Sequence, residues 1–93
     1  MKTEDVIVER SLHGPFERIV LTLRSEGPAS QLAVHRSGDT LFDAGSPRSA
    51  RALVEVLRDR PPRRIVCTHQ HEDHVGGVHA LRSAFGHLPL HVP

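Results

Sequence analysis

The hydrophobic period of this chain changes near Ser46, and this change limits the folds that the chain can adopt. Before Ser46, the residues Ile19, Leu21 and Leu23 occupy alternate positions of RIVLTLR and form one apolar face. After Ser46, the apolar residues recur at spacings of three and four: Ala50, Leu53, Val54 and Leu57. Alternation predicts a half-buried strand, and the wider spacing predicts an amphipathic helix. We therefore expect strands in the first half and helices only in the second.

Three more strand-like runs accompany RIVLTLR in the first 45 residues: VIV (6–8), QLAVHR and TLFDAG. The segment SEGPAS comes after RIVLTLR, and its glycine and proline are typical of a break between strands. The tripeptide SGD lies between QLAVHR and TLFDAG and is suited to a hairpin loop. The first 45 residues therefore predict an antiparallel β-meander.

The first helix of the second half has a start signal and a stop signal. Ser46 is a suitable N-cap, and Pro47 at the first helical position loses no hydrogen bond there. Pro61 and Pro62 cannot continue the helix, so they end it. The β-branched run RIVCT (64–68) comes after these prolines and predicts a buried strand.

A second helical stripe lies after the histidine-rich part of the chain: Val75, Val78, Leu81 and Phe85. Gly86 directly after it is typical of a helix end. The run LPLHV (88–92) then predicts another strand. The second half is strand, helix, strand, helix, strand, and this alternation predicts an α/β fold with a layered sheet.

Composition bounds the size of the protein and disfavours several functional classes. The chain has 93 residues, enough for one small domain, and its net charge of +1 does not indicate a nucleic-acid partner. The arginines of RDRPPRR are interpreted as a solvated helix end. The single cysteine, Cys67, cannot form an intrachain disulfide, and its apolar strand predicts a buried thiol. No apolar run reaches the roughly 18 residues of a membrane span, so we expect a cytoplasmic protein.

Three histidines and two carboxylates lie within six positions of THQHEDHVGG (68–77). His69 and His71 are two residues apart, so their side chains point to the same side of an extended segment and can bind one ion. Asp73 and His74 diverge from that pair and can reach a second ion. Imidazole nitrogens and carboxylate oxygens suit zinc, and iron or manganese where oxygen ligands dominate.

The alternative is a solvated capping segment in which Asp73 caps the helix and the histidines are exposed. Gly76 and Gly77 argue against it, because each costs about 1 kcal/mol of helix propensity that a purely structural helix has no reason to lose. They are suited instead to a close backbone approach. His79 lies about 140° around the helix from His74 and is expected to face elsewhere.

THQHEDHVGG resembles the H-x-H-x-D-H signature of the metallo-β-lactamase-fold hydrolases, and DTLFDAG is similar to the strand and Asp-x-Gly turn that precede the first helix there. The resemblance implies that His69 and His71 bind the first of two zinc ions, and that Asp73 and His74 bind the second. Asp73 would also orient the metal-activated water, which makes it the candidate catalytic residue. Asp43 would lie beneath the site and orient a ligand or that water.

The resemblance also implies a larger protein, an α/β/β/α sandwich of which residues 1–93 are a partial domain, incomplete at the C-terminus. The family's later half supplies further metal ligands, so we expect an N-terminal fragment of a hydrolase that is inactive alone. Its small-molecule substrate would be an ester, thioester, lactam or phosphodiester. The alternative is a non-enzymatic metal-binding half-domain that pairs with itself, as a homodimer, or with a complementing half-domain.

Overall fold

The computed structural model describes residues 6–23, 30–68 and 77–92, and in these ranges the chain forms one mixed sheet with two helices. A short 3-10 turn, Pro47–Ser49, precedes the first helix. The elements in chain order are β1 (Val6–His13), β2 (Phe16–Leu23), β3 (Ser30–Ser37), β4 (Thr40–Phe42), α1 (Ala50–Leu57), β5 (Arg64–Val66), α2 (Val78–Phe85) and β6 (Leu90–His91). Among these described residues, neither helix is long and apolar enough to cross a membrane.

The order of the strands across the sheet is the same as their order along the chain. The strands β1 to β4 pair antiparallel, whereas β4, β5 and β6 are parallel to one another. The predicted meander and the predicted α/β second half are both confirmed. The first strand is longer than the predicted 6–8, because β1 pairs with β2 over its full length as far as His13 opposite Phe16. The signal that sequence reasoning missed is the turn Gly14–Pro15.

The core lies between the two helices and one face of the sheet. Residues opposite each other in a ladder share a face, so Ile19 and its partner Val34 lie on the same side of the sheet. Leu41 lies beside Ile65 on that side, and the helices pack their apolar stripes against it. The large hydrophobic residues with no exposed surface are Ile19, Leu21, Val34, Leu41, Leu53, Leu57, Ile65 and Leu81.

The other face of the sheet, called here the open face, is not covered by either helix. It carries Val20, Ala33, Phe42 and Val66, which are half-buried, and Phe16, which is exposed. The rings of Phe16 and Phe42 contact each other with their centroids 5.9 Å apart. The open face is therefore partly apolar.

Ser46 is the N-cap and Pro47 the first residue of the helical segment, as predicted, but the segment opens with a 3-10 turn instead of an α-helical one. The chain first makes the 3-10 turn, and the buried Ser49 hydroxyl both accepts from the Ser46 amide at 3.1 Å and donates to the Ser46 carbonyl at 3.1 Å. These bonds close the tighter turn, so the α-helix begins at Ala50. The end is as predicted, because α1 stops at Leu57, before the prolines.

Arg36 joins two connections at the end of the sheet where β4 and β5 begin. Its side chain is buried and donates to the carbonyl oxygens of Gly38 at 2.8 Å, of Pro61 at 3.4 Å and of Arg60. The carbonyl of Asp39 also accepts from the amide of Arg63 at 2.8 Å. The hairpin between β3 and β4 is thus bound to the connection between α1 and β5, which leaves the opposite ends of β4 and β5 for the site.

Candidate metal centre

The carboxyl ends of β4 and β5 lie side by side, because the strands are parallel and Phe42 is paired with Val66. Asp43 comes directly after β4, and its amide donates to the carbonyl of Val66 at 2.8 Å. Thr68 comes two residues after the end of β5. Loops at the carboxyl ends of parallel strands are where α/β proteins build their sites. The motif at 69–74 begins directly after Thr68 in the sequence.

Asp43 is the candidate site residue that lies within the described ranges, and its carboxylate contacts Thr68. It is buried, and its backbone has a φ of 69°, a left-handed conformation that Asp tolerates better than most residues. The Thr68 amide donates to Oδ1 at 2.8 Å, and the Thr68 hydroxyl donates to Oδ2 at 2.9 Å and Oδ1 at 3.1 Å. Asp43 therefore holds the residue immediately before the histidine motif.

The next two residues of the same turn contact the residue on the other side of the motif. The Gly77 amide donates to the Gly45 carbonyl at 3.2 Å. A Cβ added to Gly77 would lie 2.0 Å from the Ala44 carbonyl oxygen, a distance that no real side chain tolerates. The close backbone approach expected of the paired glycines is confirmed at Gly77, which is the N-cap of α2 rather than a residue inside the helix.

The predicted metal ligands His69, His71, Asp73 and His74 lie outside the described residues, as does Gly76. Their assignment therefore stays a prediction. Within residues 6–23, 30–68 and 77–92, no three His, Cys, Asp or Glu side chains form a cluster that could hold a metal ion. What the structure does describe is Thr68, directly before the motif, and Gly77, three residues after it.

The side chains of the motif fit a metal ion, and so do the residues on either side of the motif. Three imidazoles and two carboxylates lie within six positions, which is a donor set that zinc, iron and manganese accept. The residue before them is hydrogen-bonded to the buried Asp43 carboxylate. Gly77, on the other side of the motif, has no room for a side chain.

Cys67 is buried, as its sequence pattern predicts. Burial, and to a lesser extent the negative charge of Asp43, raises the pKa of the Cys67 thiol. In the absence of a metal ion the thiol therefore stays protonated at neutral pH. The Cys67 amide donates to the His91 carbonyl at 2.8 Å, which binds β5 to β6.

The remaining histidines near the motif helix are on the surface. His79 lies on α2 and is exposed, and His87 and His91 are exposed as well. Sequence reasoning assigned no role to Thr68, although a hydroxyl residue directly before the motif is a signal that could have indicated one.

Comparison with known proteins identifies the fold. The family model of the metallo-beta-lactamase superfamily matches residues 25–93, which is more than half of the chain. Matching solved structures include a mutant flavo di-iron protein from Thermotoga maritima, which is 17% identical to this chain and superposes with a TM-score of 0.65. The match covers 91% of this chain and 26% of that one, so these residues span about a quarter of its length. No curated protein sequence matches the chain.

The six-stranded sheet, with both helices on one face, corresponds to half of the superfamily's α/β/β/α sandwich. The chain belongs to the metallo-beta-lactamase superfamily.

Proposed function

We propose that this chain carries one part of the metal site of a metal-dependent hydrolase. The observation that carries the proposal is that the turn of residues 43–45 contacts both Thr68, directly before the histidine motif, and Gly77, three residues after it. A segment rich in metal-binding side chains, held at both ends by a buried turn, is an arrangement suited to a preorganised site. Superfamily membership supports the same reaction class.

The roles proposed for the individual residues rest on the chemistry of their side chains. His69 and His71 would bind one ion, and Asp73 and His74 would bind the other. Such ions, when bound, activate water as a nucleophile and polarise the scissile carbonyl or phosphoryl oxygen. Asp73 would also orient that nucleophile. Asp43 would act from outside the ligand set, by fixing Thr68.

Zinc is the first metal to test, and iron and manganese are the alternatives. The similar solved structure is described as a di-iron protein, which supports including iron. The four donors from residues 69–74 leave two for each of two ions, whereas catalytic zinc normally has three protein ligands and a water. We therefore expect residues 1–93 by themselves to hydrolyse little or nothing.

The proposed substrates are small molecules with an ester, thioester, lactam or phosphodiester bond, and the proposed location is the cytoplasm. The experiment expresses the whole reading frame that contains these residues and offers it one reporter of each bond class. We expect hydrolysis of at least one reporter, which a chelator abolishes and Asp73→Asn reduces by several orders of magnitude. A protein that binds metal yet hydrolyses none of the four would contradict the proposed activity.

A non-enzymatic function, as a half-domain that binds metal and pairs with itself or another chain, is the second candidate. The observation that favours it is the open face, where Phe16 is exposed and Phe42 is only half-buried. Sedimentation equilibrium of residues 1–93 tests this candidate. A concentration-dependent dimer that Phe16→Ser weakens would support self-pairing, and a monomer at every concentration would argue against it.

A further inference from the structure

We propose that the turn formed by Asp43, Ala44 and Gly45 fixes the position of the whole motif, and that Gly77 is the positioning residue that makes this possible. This role rests on the proposed metal site, because it concerns how the metal ligands are held. The proposed role belongs to a contact between two main chains and not to a metal-binding side chain. The turn of residues 43–45 is called the 43–45 turn below.

Thr68 forms the contact before the motif. The carboxylate of Asp43 receives two donors from Thr68, the amide at 2.8 Å and the hydroxyl at 2.9 Å. One residue thus has both its main chain and its side chain bound to the same buried group. His69 is the next residue in the sequence.

Gly77 forms the contact after the motif. Its φ of −86° is ordinary for any residue, so alanine is not excluded there by backbone conformation. Alanine is excluded by the Ala44 carbonyl oxygen, which would lie 2.0 Å from the new Cβ. A main-chain oxygen cannot rotate away as the end of a flexible side chain can. One of the two backbones must therefore move.

The two contacts are coupled because they involve neighbouring residues of one turn. A displacement of the Ala44 carbonyl must change the backbone next to Asp43, whose carboxylate holds Thr68. The turn has little freedom to absorb the change. The Asp43 amide is bonded to Val66 on one side, and a Cβ on Gly45 would already lie 2.6 Å from the Ser49 hydroxyl on the other.

The matched control for Gly77→Ala is Gly86→Ala at the other end of the same helix. Gly86 has a φ of 96°, which alanine adopts only under strain, but a Cβ added there would meet no atom of the described residues within 4 Å. Both substitutions should therefore destabilise the protein, and only Gly77→Ala should disturb the 43–45 turn. Thr68→Val and Thr68→Ser form a second pair, because valine removes the hydroxyl donor and serine retains it.

The first measurement needs no metal and uses amide hydrogen exchange followed by NMR. In Gly77→Ala we expect the Thr68 amide to exchange about tenfold faster than in Gly86→Ala. If Gly77→Ala does not fold, Thr68→Val provides the test. We expect the Gly77 amide to exchange faster in Thr68→Val than in the parent, and at the parental rate in Thr68→Ser. Equal exchange within either matched pair would overturn the coupling.

The second measurement is zinc affinity, by calorimetric titration with zinc chloride. We expect about 10- to 100-fold weaker binding in Gly77→Ala and Thr68→Val, as for other changes outside a ligand set, and parental binding in Gly86→Ala and Thr68→Ser. Parental affinity in Gly77→Ala would overturn the positioning role. A parent protein that binds no zinc would instead contradict the proposed metal site, while amide exchange would still decide whether the 43–45 turn couples the two ends.

Discussion

The carboxylate of Asp43 and the amide of Thr68 are joined by a hydrogen bond of 2.8 Å although the residues lie 25 positions apart in the sequence. The bond exists because β4 and β5 are parallel neighbours, so the loop after β4 lies beside the loop after β5. It connects the Asp-x-Gly turn with the histidine motif. This arrangement and the scaffold around it have measurable consequences for stability and for zinc binding.

Replacing Asp43 should cost stability in a graded way. Asparagine tolerates the φ of 69° and keeps one acceptor oxygen for the Thr68 amide, so Asp43→Asn should lose about 1 kcal/mol of unfolding free energy. Asp43→Ala removes both acceptors and adds backbone strain, so we expect about 2–4 kcal/mol. Urea denaturation measures both values. Equal stability of the two variants would show that the carboxylate contacts contribute little.

Arg36→Lys should destabilise the fold without affecting the motif. A lysine ammonium cannot reproduce the planar set of donors that reaches three carbonyl groups, so about 1–3 kcal/mol of unfolding free energy should be lost. Arg36 lies at the end of the sheet away from Thr68, so zinc affinity, measured well below the unfolding transition, should remain parental. Weaker zinc binding by the folded variant would mean that the two ends of the sheet are coupled.

The ion pair of Arg10 and Glu17 should make a small contribution to stability that is lost in acid. The Arg10 Nε atom lies 2.6 Å from Glu17 Oε2, and this bond lowers the pKa of Glu17 below its ordinary value of 4.5. A lowered carboxyl pKa stabilises the fold above pH 4.5 and ceases to do so as the pH falls through the lowered value.

Because the Arg10 side chain is 39% exposed, solvent limits this contribution to about 0.5–1 kcal/mol. Glu17→Gln should therefore be less stable than the parent by about that amount at pH 7, and the two should converge as the pH falls through the lowered pKa of Glu17, as measured by thermal unfolding at a series of pH values. A stability difference that does not change with pH would rule out the ionised pair as its source.

The sequence predicted the order of the elements, because alternating and helical apolar patterns are local. Ile19, Leu21 and Leu23 were placed on one buried face, and Leu53 and Leu57 on a helix, from spacing alone. The Ser46 cap and the start at Pro47 were predicted correctly, but the 3-10 form of the first turn was not. There the Ser49 hydroxyl closes a 3-10 turn, and a serine pattern does not distinguish this from a capped helix.

The site was predictable to a lesser degree. Asp43 was identified through a family resemblance, and its partner Thr68 was not, because the bond depends on the pairing of β4 with β5. The need for a close approach at Gly77 was visible in the paired glycines. The atom that Gly77 approaches, the carbonyl oxygen of Ala44, could not be predicted, because a contact between two main chains does not depend on side-chain chemistry.

The zinc affinity of single histidine variants tests whether the motif binds metal. His69→Ala and His71→Ala are compared with His79→Ala, which removes an exposed imidazole from α2 that is expected to face away from the site. We expect zinc binding to be abolished in the first two variants and unchanged in the third. Zinc binding of parental strength in His69→Ala and His71→Ala would show that these two histidines are not metal ligands.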